Sequence, residues 1–325
     1  MSSLATRLKE EARHLGCVGV GIARAEPLHP EGDRLQEWLD RGYHGTMGWM
    51  ARRAAERRDP TLVLPSIRSV VSIAVNYYSP EPHSDAAGIG KISRYAWGDD
   101  YHAIVLEKAD RLADFVRREA PGAQTKTYAD TGPVMDKAWA ARAGVGWLGK
   151  HTNVITRDAG SWVFLGTVLT TIDLDPDEPA TDLCGTCTAC LDACPTQAFA
   201  QPYVLDATRC ISYLTIEHRG ELPGDLTKDF RGWLFGCDIC QDVCPWNRFQ
   251  RPTAEPGFRP RPDTVAPALQ DLTSLTEEQF HKRFQGSPVT RPKHAGFVRN
   301  VKAALESFTK SEHLTTKKSK KDSHG

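Results

Sequence analysis

The sequence predicts an α+β domain followed by a smaller, cysteine-rich one, and three observations carry that expectation. Apolar residues fall at helical spacing in some segments and in short β-branched runs in others, with no regular strand–helix–strand repeat. An acidic, proline-bearing stretch over 173–179 interrupts this pattern. Eight of the nine cysteines follow it, between Cys184 and Cys244. The 325 residues suffice for both parts, with expected divisions at 1–175, 176–255, a short helical extension over 256–310 and a tail over 311–325.

Leu4, Leu8, Ala12 and Leu15 share one helix face, and Gly16 ends that helix. Residues 17–22 read as a strand, and 35–39 as a helix leading into Arg52, Arg53, Arg57 and Arg58, closed by Pro60. A strand over 70–75 and a helix over 103–116 follow. A short strand over 125–129 delivers Asp130 to a loop, and a helix is expected over 134–143. Residues 152–155 and 162–171 look like paired strands joined by a turn at 157–160. One last helix is expected over 296–308.

Lys and Arg together number 41, and so do Asp and Glu, so no net field draws the chain to nucleic acid or membrane. The final 35 residues are the exception, with nine Lys or Arg against three Asp or Glu. Residues 317–321 offer nothing apolar to bury and predict a disordered basic tail. The first residues are charged from Arg7 onward, unlike a signal peptide, and no run is apolar enough to span a bilayer. A cytoplasmic, reducing location is therefore expected, where thiols hold metals more often than disulfides.

Cys184-x2-Cys187-x2-Cys190-x3-Cys194-Pro195 is the bacterial ferredoxin run. Its first three thiolates wrap one corner of a [4Fe–4S] cubane, and the fourth ligates the other cluster. The second run, Cys237-x2-Cys240-x3-Cys244-Pro245, lacks one cysteine, and Cys210 is the nearby replacement. The crossing rule assigns Cys184, Cys187, Cys190 and Cys244 to one cluster, and Cys194, Cys210, Cys237 and Cys240 to the other. Zinc also takes CxxC pairs, but its ribbons use separated pairs without a terminal Cys-Pro. Cys17 is left over, inside an apolar run, and reads as a core residue.

Three other signals are weaker. Residues 144–149 spell G-x-G-x-x-G, and Lys150 nearly completes a P-loop, but the run follows a helix and opens a strand. Those glycines are expected to let backbone approach a large flat ligand. Asp100-Tyr101-His102 begins a cobalt-binding D-x-H-x-x-G pattern, yet Val105 replaces the glycine, leaving His102 as part of a helix's first turn. Asp130, before Gly132-Pro133, could cap the helix beginning near Val134.

Together the motifs resemble a family. Arg94-Tyr95-Ala96-Trp97-Gly98-Asp99-Asp100-Tyr101-His102 resembles a box of the epoxyqueuosine reductases, and so do 130–134, 143–151, 160–166 and the cysteine block. The resemblance runs from near residue 1 to about Phe308. It implies a nitroreductase-like corrinoid-binding domain fused to a bacterial-ferredoxin-like two-cluster domain, with a short helical C-terminus. The implied reaction reduces epoxyqueuosine to queuosine at the wobble position of tRNA for Tyr, His, Asn and Asp, the last step of queuosine biosynthesis. The implied cofactors are two [4Fe–4S] clusters and cobalamin, base-off and without a protein histidine on cobalt.

By motif match Asp130 is the proton donor to the alkoxide left by epoxide opening. The same match places Arg53, Ser93, Asp130, Thr152, Asn153, Val154, Leu165, Ser212 and Asp238 around cobalamin. A low-potential flavodoxin or ferredoxin would supply electrons to a monomeric enzyme. Longer members continue into helical repeats that help hold tRNA. Here the grip would fall to Arg52, Arg53, Arg57, Arg58, Arg248, Arg251 and the basic end. The alternatives are a reductive dehalogenase-like corrinoid reductase of a small molecule, with a tyrosine–lysine/arginine donor pair, and a plain two-cluster electron carrier.

Overall fold

The computed structural model describes residues 2–321, with side chains as far as Phe308. Ser3 accepts from Thr6 N–H and starts α1 (Leu4–His14), which buries Ala5, Leu8 and Ala12. Gly16, at φ +83°, turns the chain into β1 (Gly19–Arg24), two residues later than expected. The helix α2 (His29–Asp40) and two short ones, α3 (Gly48–Arg52) and α4 (Ala54–Arg58), fill the arginine-rich segment. Strand β2 (Ser69–Asn76) is buried along its whole length, as a central strand of β-branched residues should be.

Strand β3 (Lys91–Ile92) leaves the main sheet and pairs in parallel with Trp233–Phe235. The Asp100 side chain accepts from His102 N–H and starts α5 (Tyr101–Glu119), which lays Val105, Ala109, Leu112 and Val116 on the sheet. After β4 (Thr125–Tyr128), α6 (Asp136–Arg142) begins two residues later than the sequence suggested. Strands β5 (Trp147–Leu148), β6 (Val154–Ile155) and β7 (Val163–Thr170) follow.

The main sheet is antiparallel in the order β1–β2–β7–β4. This corrects the expected hairpin. Strand β6 pairs with β5, while both edges of β7 are taken, by β2 and by β4. The predicted turn survives only as one bridge, with Thr156 N–H donating to Gly160 O at 2.8 Å.

Two hydrophobic cores cross the sequence divisions. The first joins α1, α5 and the sheet to Leu174 and Phe258. The second joins Ile92, Ala96 and Trp97 to Leu234, Phe235, Phe280, Phe284, Phe297 and Val301. The acidic linker is fastened rather than loose. Asp177 accepts from Ile22 N–H at 2.9 Å and pairs with Lys9 at 2.5 Å.

The last helix, Lys293–Lys321, starts earlier than expected and runs into the stretch read as a disordered tail. No glycine or proline after Gly296 stops it, and its lysines are good helix formers. The end of the expected tail, 322–325, lies outside the described residues. Among those described, no helix is long and apolar enough to cross a membrane.

Candidate active site

Asp130 leaves β4 in the left-handed region, at φ +62°, which Asp tolerates better than most residues. The capping alternative is not realised: Met135 stands at the N-cap of α6, with no side-chain cap bond. Instead Tyr101 donates its hydroxyl to Asp130 Oδ2 at 2.7 Å, and His102 Nε2 lies 3.3 Å from the same oxygen. The other imidazole nitrogen, Nδ1, lies 2.6 Å from Asp100 Oδ1. His102 thus does more than occupy a first helical turn, a role the sequence reading missed. Its i+2 spacing from Asp100 was the available signal.

Desolvation works to raise the Asp130 pKa, but the bonds from His102 and Tyr101 outweigh it and hold the pKa below the usual range. For His102 desolvation works downward, and the two carboxylates overcome it, raising the pKa to about 9. At neutral pH the shared proton therefore rests on His102, with Asp130 ionised. Tyr101 is held protonated by desolvation and the Asp130 charge. Its ring is fixed by stacking on Phe164, 4.2 Å between centroids at 3°.

The Asp130 side chain is 64% exposed, on an open cleft. Lys137, exposed on α6, donates to Thr152 O at 2.9 Å and Asn153 Oδ1 at 3.0 Å. Its ammonium also feels the charges of Asp130, Cys240 and Cys210, so groups from distant parts of the chain converge here. Thr152 sits at φ +65°, a strained conformation for a β-branched residue. Ser212 and Leu165 are half-buried, and Val154 is buried. Arg53 is exposed and bonded to Glu56 at 3.1 Å. Arg53, Lys137, Thr152, Asn153 and Ser212 offer polar groups of the kind that the amide arms of a corrinoid bond.

Ser93 and Asp238 depart from the expected pocket. Both are buried, and their side chains bond to each other. Asp238 also accepts from Arg94 N–H at 2.9 Å, from Arg94 Nη1 at 3.2 Å and from His83 Nε2 at 2.9 Å. A carboxylate so buried needs these partners, which leaves nothing to turn towards the cleft.

A cavity of about 140 Å3 is lined by Cys184, Cys187, Cys190 and Cys244 together with Lys150 and His151. Burial, then mutual repulsion with Cys244 and Cys184, raises the Cys190 thiol to about 11. Cys194, Cys210, Cys237 and Cys240 form the second group. Burial, then the charges of Cys210 and Cys194, pushes Cys240 well up. Thiols crowded and buried in this way are a donor set that suits iron–sulfur clusters. Among the described residues no three such ligands close on a single-ion point, and the thiols around the cavity border a wider space. Cys17 is buried in the first core, as expected. A larger cavity, about 480 Å3 between Arg13, Gly144, Arg157 and Glu178, is lined by part of the glycine-rich run and by none of the expected cobalamin or cluster ligands.

Two further expectations change. A Cβ on Gly146 would lie 2.4 Å from Ile155 O, so that glycine lets β5 meet β6 rather than admitting a ligand. Arg57 is buried beneath Trp49, 5.7 Å from its ring, and cannot grip phosphate. Arg52, Arg53, Arg248 and Arg251 are exposed. Arg58 is paired with Asp33. Arg291, not singled out from sequence, is held by both oxygens of Glu217, at 2.9 and 3.1 Å.

A family model described as "4Fe-4S double cluster binding domain" matches residues 183–247. A second, "Epoxyqueuosine reductase QueG, DUF1730", matches residues 57–131. An epoxyqueuosine reductase of Cellulophaga algicola is 46% identical over 294 residues, 90% of this chain and 95% of its own. The Escherichia coli epoxyqueuosine reductase is 38% identical over 330 residues, covering 100% of this chain and 86% of its own. A crystal structure of epoxyqueuosine reductase with a tRNA-Tyr epoxyqueuosine-modified stem loop superposes with a TM-score of 0.86 at 33% identity, covering 96% of this chain and 83% of that one. With relatives this similar along nearly its whole length, the chain belongs to the epoxyqueuosine reductase family.

Proposed function

We propose that this chain reduces epoxyqueuosine to queuosine in tRNA, with Asp130 passing the proton that the reaction consumes. The observation that carries this reading is the Asp100–His102–Asp130 ladder, a charged imidazole held against an exposed carboxylate. The net reaction takes an epoxide, two electrons and two protons to an alkene and water. Cobalamin bound in the cleft would supply two-electron reducing chemistry that single-electron clusters lack.

The chain's own groups handle the proton. An alkoxide is a poor leaving group until protonated. His102 Nε2 passes its proton to the ionised Asp130, which presents it to the alkoxide, while Asp100 steadies the imidazolium from the far side. Both nitrogens of His102 face carboxylates, which agrees with cobalamin bound without a protein imidazole. Arg53, Thr152, Asn153, Val154, Leu165 and Ser212 would hold the corrinoid, joined by Lys137.

One [4Fe–4S] cluster would sit on Cys184, Cys187, Cys190 and Cys244, the other on Cys194, Cys210, Cys237 and Cys240. Arg52, Arg53, Arg248 and Arg251 would meet tRNA phosphates. A low-potential flavodoxin or ferredoxin as donor, a monomeric state and a cytoplasmic location complete the proposal. The small-molecule corrinoid reductase is less well supported, because the Tyr101 hydroxyl is committed to Asp130.

The test is anaerobic turnover of epoxyqueuosine-containing tRNA with loaded clusters, cobalamin and a low-potential reductant. Mass spectrometry of the nucleoside should show loss of one oxygen with wild type and not with Asp130→Asn. An inert wild type, with both cofactors bound, would sink the assignment.

A further inference from the structure

We propose that residues 144–151 clamp one iron–sulfur cluster and raise its reduction potential, through two ring N–H donors, His151 Nε2 and Trp147 Nε1. The proposal rests on the assignment of Cys184, Cys187, Cys190 and Cys244 to one cluster. This is the glycine-rich run whose nucleotide-binding look the fold rules out, and nothing in the reaction itself uses it.

Three side chains of the run converge on the same cysteine loop. Lys150 Nζ donates to Gly185 O at 2.6 Å and to Cys187 O at 2.9 Å, tying down two backbone carbonyls between the first thiolates. His151 is 3% exposed and lines the cavity with the four cysteines. Its Nδ1 accepts from Asn153 N–H at 3.1 Å. That bond fixes the tautomer and puts the proton on Nε2. Nε2 has no partner among the described residues.

Trp147 repeats the pattern from β5. It is 2% exposed, its Nε1–H is likewise without a partner of ordinary geometry, and the ring bears on the Cys184 thiol. Two buried donors left over, His151 on the wall of the cysteine-lined cavity and Trp147 beside its Cys184 edge, require acceptors there. Cluster and thiolate sulfurs are the acceptors that the chemistry supplies. Hydrogen bonds to those sulfurs favour the more negative, reduced cluster, so they raise its potential. The glycines fit the same purpose, since the close contact of Gly146 with Ile155 seats β5 against β6 and aims both rings.

The experiment is a redox titration followed by electron paramagnetic resonance on wild type, His151→Phe, Trp147→Phe and His151→Gln. Each phenylalanine variant should move one of the two cluster waves by a tenfold change in the reduction equilibrium, about 59 mV more negative for one electron. The glutamine amide can still donate, so His151→Gln should recover most of the shift. In the wild-type protein carrying 15N-histidine, the reduced state should show a nitrogen hyperfine coupling. Unmoved waves in both phenylalanine variants at full iron content would overturn the proposal, and so would a wild type without that coupling. If a variant loses its iron, the labelled wild type still decides. Iron analysis near eight atoms per chain tests the two-cluster assignment separately.

Discussion

His102 bridges two carboxylates, with Asp100 Oδ1 2.6 Å from Nδ1 and Asp130 Oδ2 3.3 Å from Nε2. One imidazole therefore orients the acid and stores its proton. The arrangement resolves a conflict, because an aspartate held below its usual pKa is a poor reservoir at neutral pH. His102, raised to about 9, remains charged there and can recharge it.

A pH limb follows from this division of labour. His102 is protonated below about 9, so turnover should fall as pH rises through that value. The sign for stability is the same. The folded pKa lies above the unfolded one of about 6.5, so the contribution is complete below 6.5 and lost as pH climbs to about 9. That term is small, because the pair is partly exposed. A pH–rate profile of His102→Gln should show lower turnover and no limb near 9. A limb kept unchanged in that variant would assign it to another group.

The acid itself should be worth more than its neighbours. Asp130→Asn should lower kcat by about 10²- to 10⁴-fold, the range of a positioned acid. Tyr101→Phe removes one bond to Oδ2 and should cost roughly tenfold, since His102 still reaches the same oxygen. Single-turnover rates with the clusters pre-reduced separate this loss from slow electron delivery. Equal losses in both variants would contradict the ranking.

Much of this architecture was legible because local rules dominated it. The α1 and α5 periodicities, the central strand β2 and the ferredoxin cysteine spacing depend on few distant contacts. The hairpin failed because pairing is decided by which edges are free, and β7 had none. The buried pairing of Ser93 with Asp238 went unread for a similar reason. They are 145 residues apart, and their mutual burial leaves no trace in either local sequence. Lys137 was missed because its value lies in reaching Thr152 and Asn153 across the cleft.

Lys137 offers a test of the cobalamin wall. It ties Thr152 O to Asn153 Oδ1, and its loss should release a strained segment at the cleft. Lys137→Met should weaken cobalamin retention about tenfold, equivalent to about 1.4 kcal/mol, with iron content unchanged. Absorbance titration of the apo-corrinoid protein measures it. Unaltered affinity would place the corrinoid away from this wall.

Asp238 separates a structural role from a ligand-binding one. Its carboxylate is 1% exposed and satisfies Ser93, His83 and both the backbone and the guanidinium of Arg94. Arg94 is itself buried, with Trp97 and Trp162 packed at 5.2 and 5.1 Å. Asp242 also reaches it, but with a half-open carboxylate that burial raises to about 6 and so holds its charge weakly. Asp238→Ala therefore strands a buried cation and should destabilise the fold by about 3–5 kcal/mol. Asp238→Asn keeps an acceptor for Ser93 and the Arg94 N–H and should cost less. Thermal unfolding of the cluster-loaded protein ranks the two variants, and cobalamin titration of the folded fraction completes the test. If cobalamin binding collapses while the unfolding temperature stays put, Asp238 faces the ligand after all; a large fall in unfolding temperature with affinity retained assigns it to the framework.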